Sequence, residues 1–167
     1  MNEIQVQAKY TIEVYAPNGV LKLATEETNL VPTAALNHIL QTAYAGAAGV
    51  STHYVGLFQG AYVPVASATS GDIGTAITEF TDYDQVTRPV ATFEVPTTGV
   101  LNVLEANAAE YTVNADGSEI TGAFLTSGGT KGSSTGTLMS IASFSTLAAA
   151  DAGDTVKVRY SLTLANS

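Results

Sequence analysis

The chain has 167 residues, no cysteine, 13% charged residues and a formal net charge of −9 from fifteen acidic and six basic side chains. That length buries about 70% of the unfolded surface in one core without cross-links, and the missing thiols exclude a disulfide framework and thiolate metal or redox chemistry. The basic residues are scattered singly, which argues against a nucleic-acid partner, and no run approaches the roughly 20 apolar residues of a membrane-spanning helix.

Residues 1–14 open the chain with strict alternation. Ile4, Val6, Ala8, Tyr10, Ile12 and Val14 share one face, while Glu3, Gln5, Gln7, Lys9, Thr11 and Glu13 share the other, the period of a half-buried strand. The opening residues lack a positive n-region and an apolar h-region, so no secretory signal is expected. Ala16-Pro17-Asn18-Gly19 predicts a turn, and Val20-Leu21-Lys22-Leu23 returns as its hairpin partner. Residues 1–23 thus read as a β-ribbon or arm.

One helix is predicted, at about 32–45. Pro32 suits its first turn, Leu36, Ile39, Leu40 and Ala43 or Tyr44 supply its apolar spacing, and Gly46 stops it. The same reading turns His38 away from Leu36 and Leu40, toward solvent. Residues 52–58 predict a buried strand, and 59–74 a long loop carrying Tyr62, Pro64 and Asp72. Further strands are expected at 76–81, 86–95 (with Pro89 marking an edge or a bulge), 110–113, 119–126 and 137–144. Residues 127–136, rich in Gly and Ser, predict a flexible loop. The final segment, 154–164, alternates Val156, Val158, Tyr160, Leu162 and Leu164 against Thr155, Lys157, Arg159, Ser161 and Thr163. About nine strands and one accessory helix predict a single all-β domain over 1–167, a β-sandwich or jelly roll.

No arrangement of reactive side chains stands out. Lys131-Gly132-Ser133 has the wrong order for a phosphate-binding loop and precedes a strand rather than a helix. His38 and His53 lack a second ligand at metal spacing, and no nucleophile elbow exists for either to activate. Asp82-Tyr83-Asp84 and Asp151-Ala152-Gly153-Asp154 place paired acids in turns, where they hold backbone amides, bind calcium or act as acid and base. Glu26-Glu27 reads as a solvated turn and Asp116-Gly117 as a hairpin turn. Of the eight tyrosines, Tyr10, Tyr54, Tyr111 and Tyr160 fall in strands and read as core or its rim. Tyr62 and Tyr83 read either as interface residues or as anchors of their own loops. The expectation is a protein that is not an enzyme and has no cofactor or metal.

His53-Tyr-Val-Gly-Leu-Phe, Glu79-Phe80 with Tyr83 and Arg88-Pro89, Gly122-Ala123-Phe124-Leu125, Gly136-Thr137-Leu138 with Phe144, and the run from Ala152 to Val158 together resemble small structural proteins of tailed-bacteriophage virions. The resemblance spans residues 50–165 and consists of core and turn positions. It implies a capsid decoration or cement protein, a small β-barrel or jelly roll seated as a trimer on the head, made in the host cytoplasm and located in the virion. Its partners would be the major capsid protein and copies of itself, and Tyr62, Asp72, Tyr83 and Arg88 are the interface candidates. Neck, tail or receptor-binding fibre components are the alternative within phages. A carbohydrate-binding β-sandwich using acidic turn residues is the alternative outside them.

Overall fold

The computed structural model describes residues 4–96 and 98–166; residues 1–3, expected in the first strand, lie outside them. The elements follow in the order β1 (Ile4–Tyr15), β2 (Leu21–Thr28), α1 (Thr33–Tyr44), β3 (His53–Gln59), β4 (Thr78–Phe80), β5 (Val90–Ala91), β6 (Val100–Asn102), β7 (Ala109–Thr112), β8 (Ser118–Thr126), β9 (Leu138–Ala150) and β10 (Thr155–Asn166). They form two five-stranded antiparallel sheets. The first runs β2-β1-β10-β6, with β7 also on β10. The second runs β4-β3-β8-β9, with β5 also on β3.

The alternation at the two ends of the chain decides the first sheet. Ala8, Tyr10, Ile12 and Val14 of β1 and Val156, Val158 and Tyr160 of β10 are all buried on its inner face. β1 and β10 pair along their whole lengths, with Tyr10 opposite Tyr160 and Val14 opposite Val156. The outer face is wet and laced with cross-strand ion pairs, Lys9 to Glu26 at 2.7 Å, Lys157 to Glu110 at 2.7 Å and Arg159 to Glu13 at 3.2 Å. Glu26 and Glu27 are therefore strand residues of β2, not a turn. The predicted turn at 16–19 does form, with the Gly19 amide donating to the Ala16 carbonyl at 2.8 Å and Gly19 at φ 81°.

The second sheet is covered on both sides, as the unbroken apolar run of β3 requires. Val55, Leu57, Ala123 and Leu125 face the first sheet across the main core. Phe58, Phe124 and Ile141 face outward, where Ala68, Ile73 and Ile77 of the loop following β3 lie over them. Gly56 pairs with Phe124 and Gly122 with Phe58, so each ring lies across the neighbouring strand's glycine. A Cβ on either glycine would stand 2.0 Å from a ring carbon. Both open sides of the sandwich are stitched by short bridges, Leu30 to Ile141 on one and Tyr83 to Val113 and Phe93 to Val103 on the other.

Several expectations need correction. Of 86–95 only Val90–Ala91 is strand; Pro89, lacking an amide hydrogen, precedes this edge piece and accepts a 2.9 Å hydrogen bond from the Val55 amide. β9 runs six residues past Phe144, and β6 has no counterpart in the sequence reading. Helix α1 forms where predicted, between Pro32 and Gly46 at φ 69°, but of its expected apolar face Ile39 is turned inward while the leucines are not. Ala35 is its buried residue and Leu36, Leu40 and Tyr44 are exposed. His38 points inward.

Candidate functional site

Two of the four residues expected at an interface are interior. Arg88 is 0% exposed. Its Nε and Nη2 donate to the two carboxylate oxygens of Glu79 at 2.8 and 2.7 Å, while Nη1 donates to the Gly128 carbonyl and Nη2 also to the Ser133 carbonyl, both at 2.7 Å. The guanidinium lies 5.2 Å from the centre of the Phe124 ring. Glu79 in turn accepts from the Gly132 amide at 2.7 Å. The Gly/Ser segment expected to be a flexible loop is thus wrapped around a buried bidentate ion pair, because its carbonyls supply the acceptors that Arg88 needs away from water.

Tyr83 is buried beside this pair. Its ring meets Tyr111 edge-on at 5.0 Å, and the Lys131 ammonium sits 3.8 Å above it while donating to the Tyr83 and Thr81 carbonyls. Neither the Arg88 nor the Tyr83 side chain is exposed at the surface of the chain.

Tyr62 and Asp72 lie on the long loop, and both are half-buried. The Tyr62 ring stands edge-on to Phe58 at 6.0 Å, and its carbonyl accepts from the Ser143 hydroxyl at 2.6 Å. Burial, with the nearby charge of Asp72, raises the Tyr62 phenol above its ordinary value. Asp72 closes a 3-10 turn by accepting from the Thr69 amide at 2.7 Å. The loop is anchored on its own domain, and what it offers outward is Val63 and Val65, both exposed.

The acidic turns are also engaged internally. Lys22 reaches Asp154 at 2.5 Å and Asp151 at 3.3 Å. Asp151 accepts from the Gly117 amide and Asp116 from the Ala152 amide, so these acids tie two turns together. The Gly117 hydrogen bond, followed by Lys22, holds the Asp151 carboxyl below its usual range. Asp84 accepts from the Asn114 side chain at 3.3 Å. Asp82, Asp116 and Glu119 line a shallow polar cleft of about 450 Å³. Among the described residues no group of three or more His, Asp or Glu is arranged to hold a metal ion, and no helix is long and apolar enough to cross a membrane.

Two surface features were not read from the sequence. The first is a cleft of about 510 Å³ beneath α1, where Ile39, Met139, Leu101 and Leu162 surround His38 and His53. His53 stacks edge-on against Phe93 at 5.8 Å, and burial, helped by the positive charge of His38, lowers its pKa. The signal was available in the helix itself, since His38 shares a face with Ala35, Ile39 and Thr42.

The second feature is the far end of the β1–β10 ladder. β2 stops at Thr28, opposite Lys9, whereas β1 continues to Ile4 against Asn166. Among the described residues no strand pairs with the outer edge of β1 at residues 5–7. Val6 and Leu164 stand opposite each other there, 41% and 47% exposed. The alternation of β1 and β10 located these residues on the inner face, but the second sheet ends before it reaches them.

No protein-family model matches the chain, and comparison with curated proteins finds no matching relative.

Proposed function

We propose that this chain is a non-enzymatic structural protein of a tailed-bacteriophage virion, a capsid decoration or cement protein that stabilises the head, associates with further copies of itself, and docks on the major capsid protein. The single observation that carries this reading is the open edge of β1. An unpaired strand edge is a template for another strand, and proteins that must stay monomeric blunt such edges with charge, proline or bulges. Residues 4–8 read Ile-Gln-Val-Gln-Ala, with neither charge nor proline. Main-chain pairing there would supply affinity, and the exposed Val6–Leu164 pair would supply apolar contact beside it.

The rest of the molecule suits that role. Loops that composition makes flexible are fastened inward, so the outer surface is stiff and association incurs little ordering entropy. The phage-like segment order supports the same class.

The test is cosedimentation of the purified protein with capsids stripped of it, together with its mass in solution. Saturable binding in a fixed ratio to the shell, strongest for an oligomer, is the expected result. A stable oligomer that ignores capsids would favour a neck, tail or fibre position instead. A monomer that ignores capsids and binds glycans through the Asp82 cleft would contradict the structural reading.

A further inference from the structure

We propose that the cleft beneath α1 is a binding site for a neutral, predominantly apolar small molecule that inserts between the helix and the mouth of the sandwich and meets His38 of the helix and His53 of β3. Its volume of about 510 Å³ falls inside the range of small-molecule sites, about 300–1,000 Å³. Both sheets and the helix contribute walls: Met139 and Leu162 from the sandwich, Ile39 and Thr42 from α1. No Asp, Glu, Lys or Arg lines it, so a charged ligand would lose its hydration without gaining a counter-ion. The imidazoles supply a donor and an acceptor each, enough to orient one polar group on an otherwise apolar body.

This chemistry makes occupancy depend on pH. The titratable groups lining the cleft are His38, His53 and Tyr160. The Tyr160 phenol, pushed up to about 12 chiefly by burial, stays neutral across the acid range. Burial already lowers the His53 pKa below its ordinary value. An apolar occupant displaces the remaining water from the imidazoles and disfavours their charged forms further. Affinity is therefore full above about pH 6.5 and is lost as the pH falls and His53 takes up a proton. The site is independent of the strand edge on which the virion reading rests.

The experiment titrates the full chain with N-phenyl-1-naphthylamine, a neutral fluorophore, at about pH 7.5 and about pH 5. One saturable site per chain is expected, with a Kd about tenfold weaker at the lower pH. Thr42→Trp fills the cleft from the helix surface and is expected to weaken binding about tenfold at the higher pH, whereas Leu40→Ser on the outer face changes it less than about twofold. Replacing both histidines (His38→Gln with His53→Phe) is expected to flatten the pH dependence. The methyl carbon resonance of Met139 reports occupancy in the unmodified chain and is expected to shift with the same saturation curve. Absence of saturable binding, a Met139 signal that does not move, equal binding by a folded Thr42→Trp variant, or a pH dependence that survives removal of both imidazoles would each overturn the proposal.

Discussion

Tyr111 and Tyr83 touch ring to ring, yet their hydroxyls have opposite fates. Tyr111 donates to the Val55 carbonyl at 2.8 Å and so joins the two sheets through the core. The Tyr83 hydroxyl is buried with no hydrogen-bond partner among the described residues. A satisfied buried hydrogen bond contributes about 1 kcal/mol, and an orphaned buried polar atom costs about 1–3 kcal/mol. Tyr111→Phe is therefore expected to lower stability by about 1–2 kcal/mol, and Tyr83→Phe to leave it unchanged or raise it by up to about 1 kcal/mol, both read from urea midpoints. Arg88 illustrates the same asymmetry for charge. Arg88→Met leaves the Glu79 carboxylate buried without its partner, with an expected loss of about 3–5 kcal/mol. Replacing Glu79 with Leu in the same chain removes that stranded charge and is expected to recover part of the loss. Neither step was legible from the sequence: Arg88 sits in a Thr-Arg-Pro context that looks like an exposed strand edge, and its partner Glu79 lies nine residues earlier on an element of three residues.

Among the elements, the ones that were legible are those in which one physical rule acts alone. β1 and β10 obey the two-residue period over their whole lengths, and α1 is bounded by a proline and a left-handed glycine. Elements shaped by tertiary contact were not legible. β6 has three half-buried residues and exists because β10 offers an edge. The last three residues of β9, Ala148–Ala150, have low strand propensity and are held by β8 opposite Ile120, Glu119 and Ser118. On α1 the leucine spacing marks the exposed face, whereas the sandwich mouth receives the smaller face containing Ala35 and His38. The β3–β8 pair carries a sharper prediction. Gly56 and Gly122 let Phe124 and Phe58 fold down on the neighbouring strand, an arrangement in which each aromatic ring covers a backbone that glycine leaves bare. For Gly56→Ala the three nearest atoms all belong to the Phe124 ring, with an expected loss of about 1–3 kcal/mol from overpacking. At Gly122 the added methyl also meets the Ala142 carbonyl at 2.3 Å, and backbone cannot swing aside as a ring can. Gly122→Ala is expected to be the more damaging, with the lower thermal midpoint of the two.

For the molecule as a whole, buried tyrosines set an alkaline limit. Burial raises the phenols of Tyr10 and Tyr111 well above their ordinary value of 10.0, and that of Tyr160 to about 12. In the unfolded chain the same groups ionise near pH 10, so above that pH the folded state holds more protons than the unfolded one. Their contribution is complete below about pH 10 and is lost as the pH rises beyond it. Urea midpoints measured at rising alkaline pH are expected to fall beyond about pH 10, with tyrosinate absorbance appearing together with unfolding rather than before it.

The two faces of the sandwich are unequal, and this inequality organises the functional account. One sheet is sealed by the long loop. The other faces solvent with paired charges and ends in an extension of β1 and β10, flanked on the β10 side by β6, whose β1 edge is unpaired among the described residues. The strand pattern of the sequence predicted the scaffold but not the open edge, because where a neighbouring strand stops is a property of β2 and the second sheet rather than of β1 itself.

The most direct measurement is amide hydrogen exchange at residues 5–8, compared between the free protein and the protein saturated onto capsids. Strand pairing at the β1 edge predicts that amides directed outward in the free chain become protected on the shell, while the already paired amides of β10 change little. Full capsid occupancy with exchange at residues 5–8 unchanged would contradict the claim that this edge is where the molecule joins its neighbours.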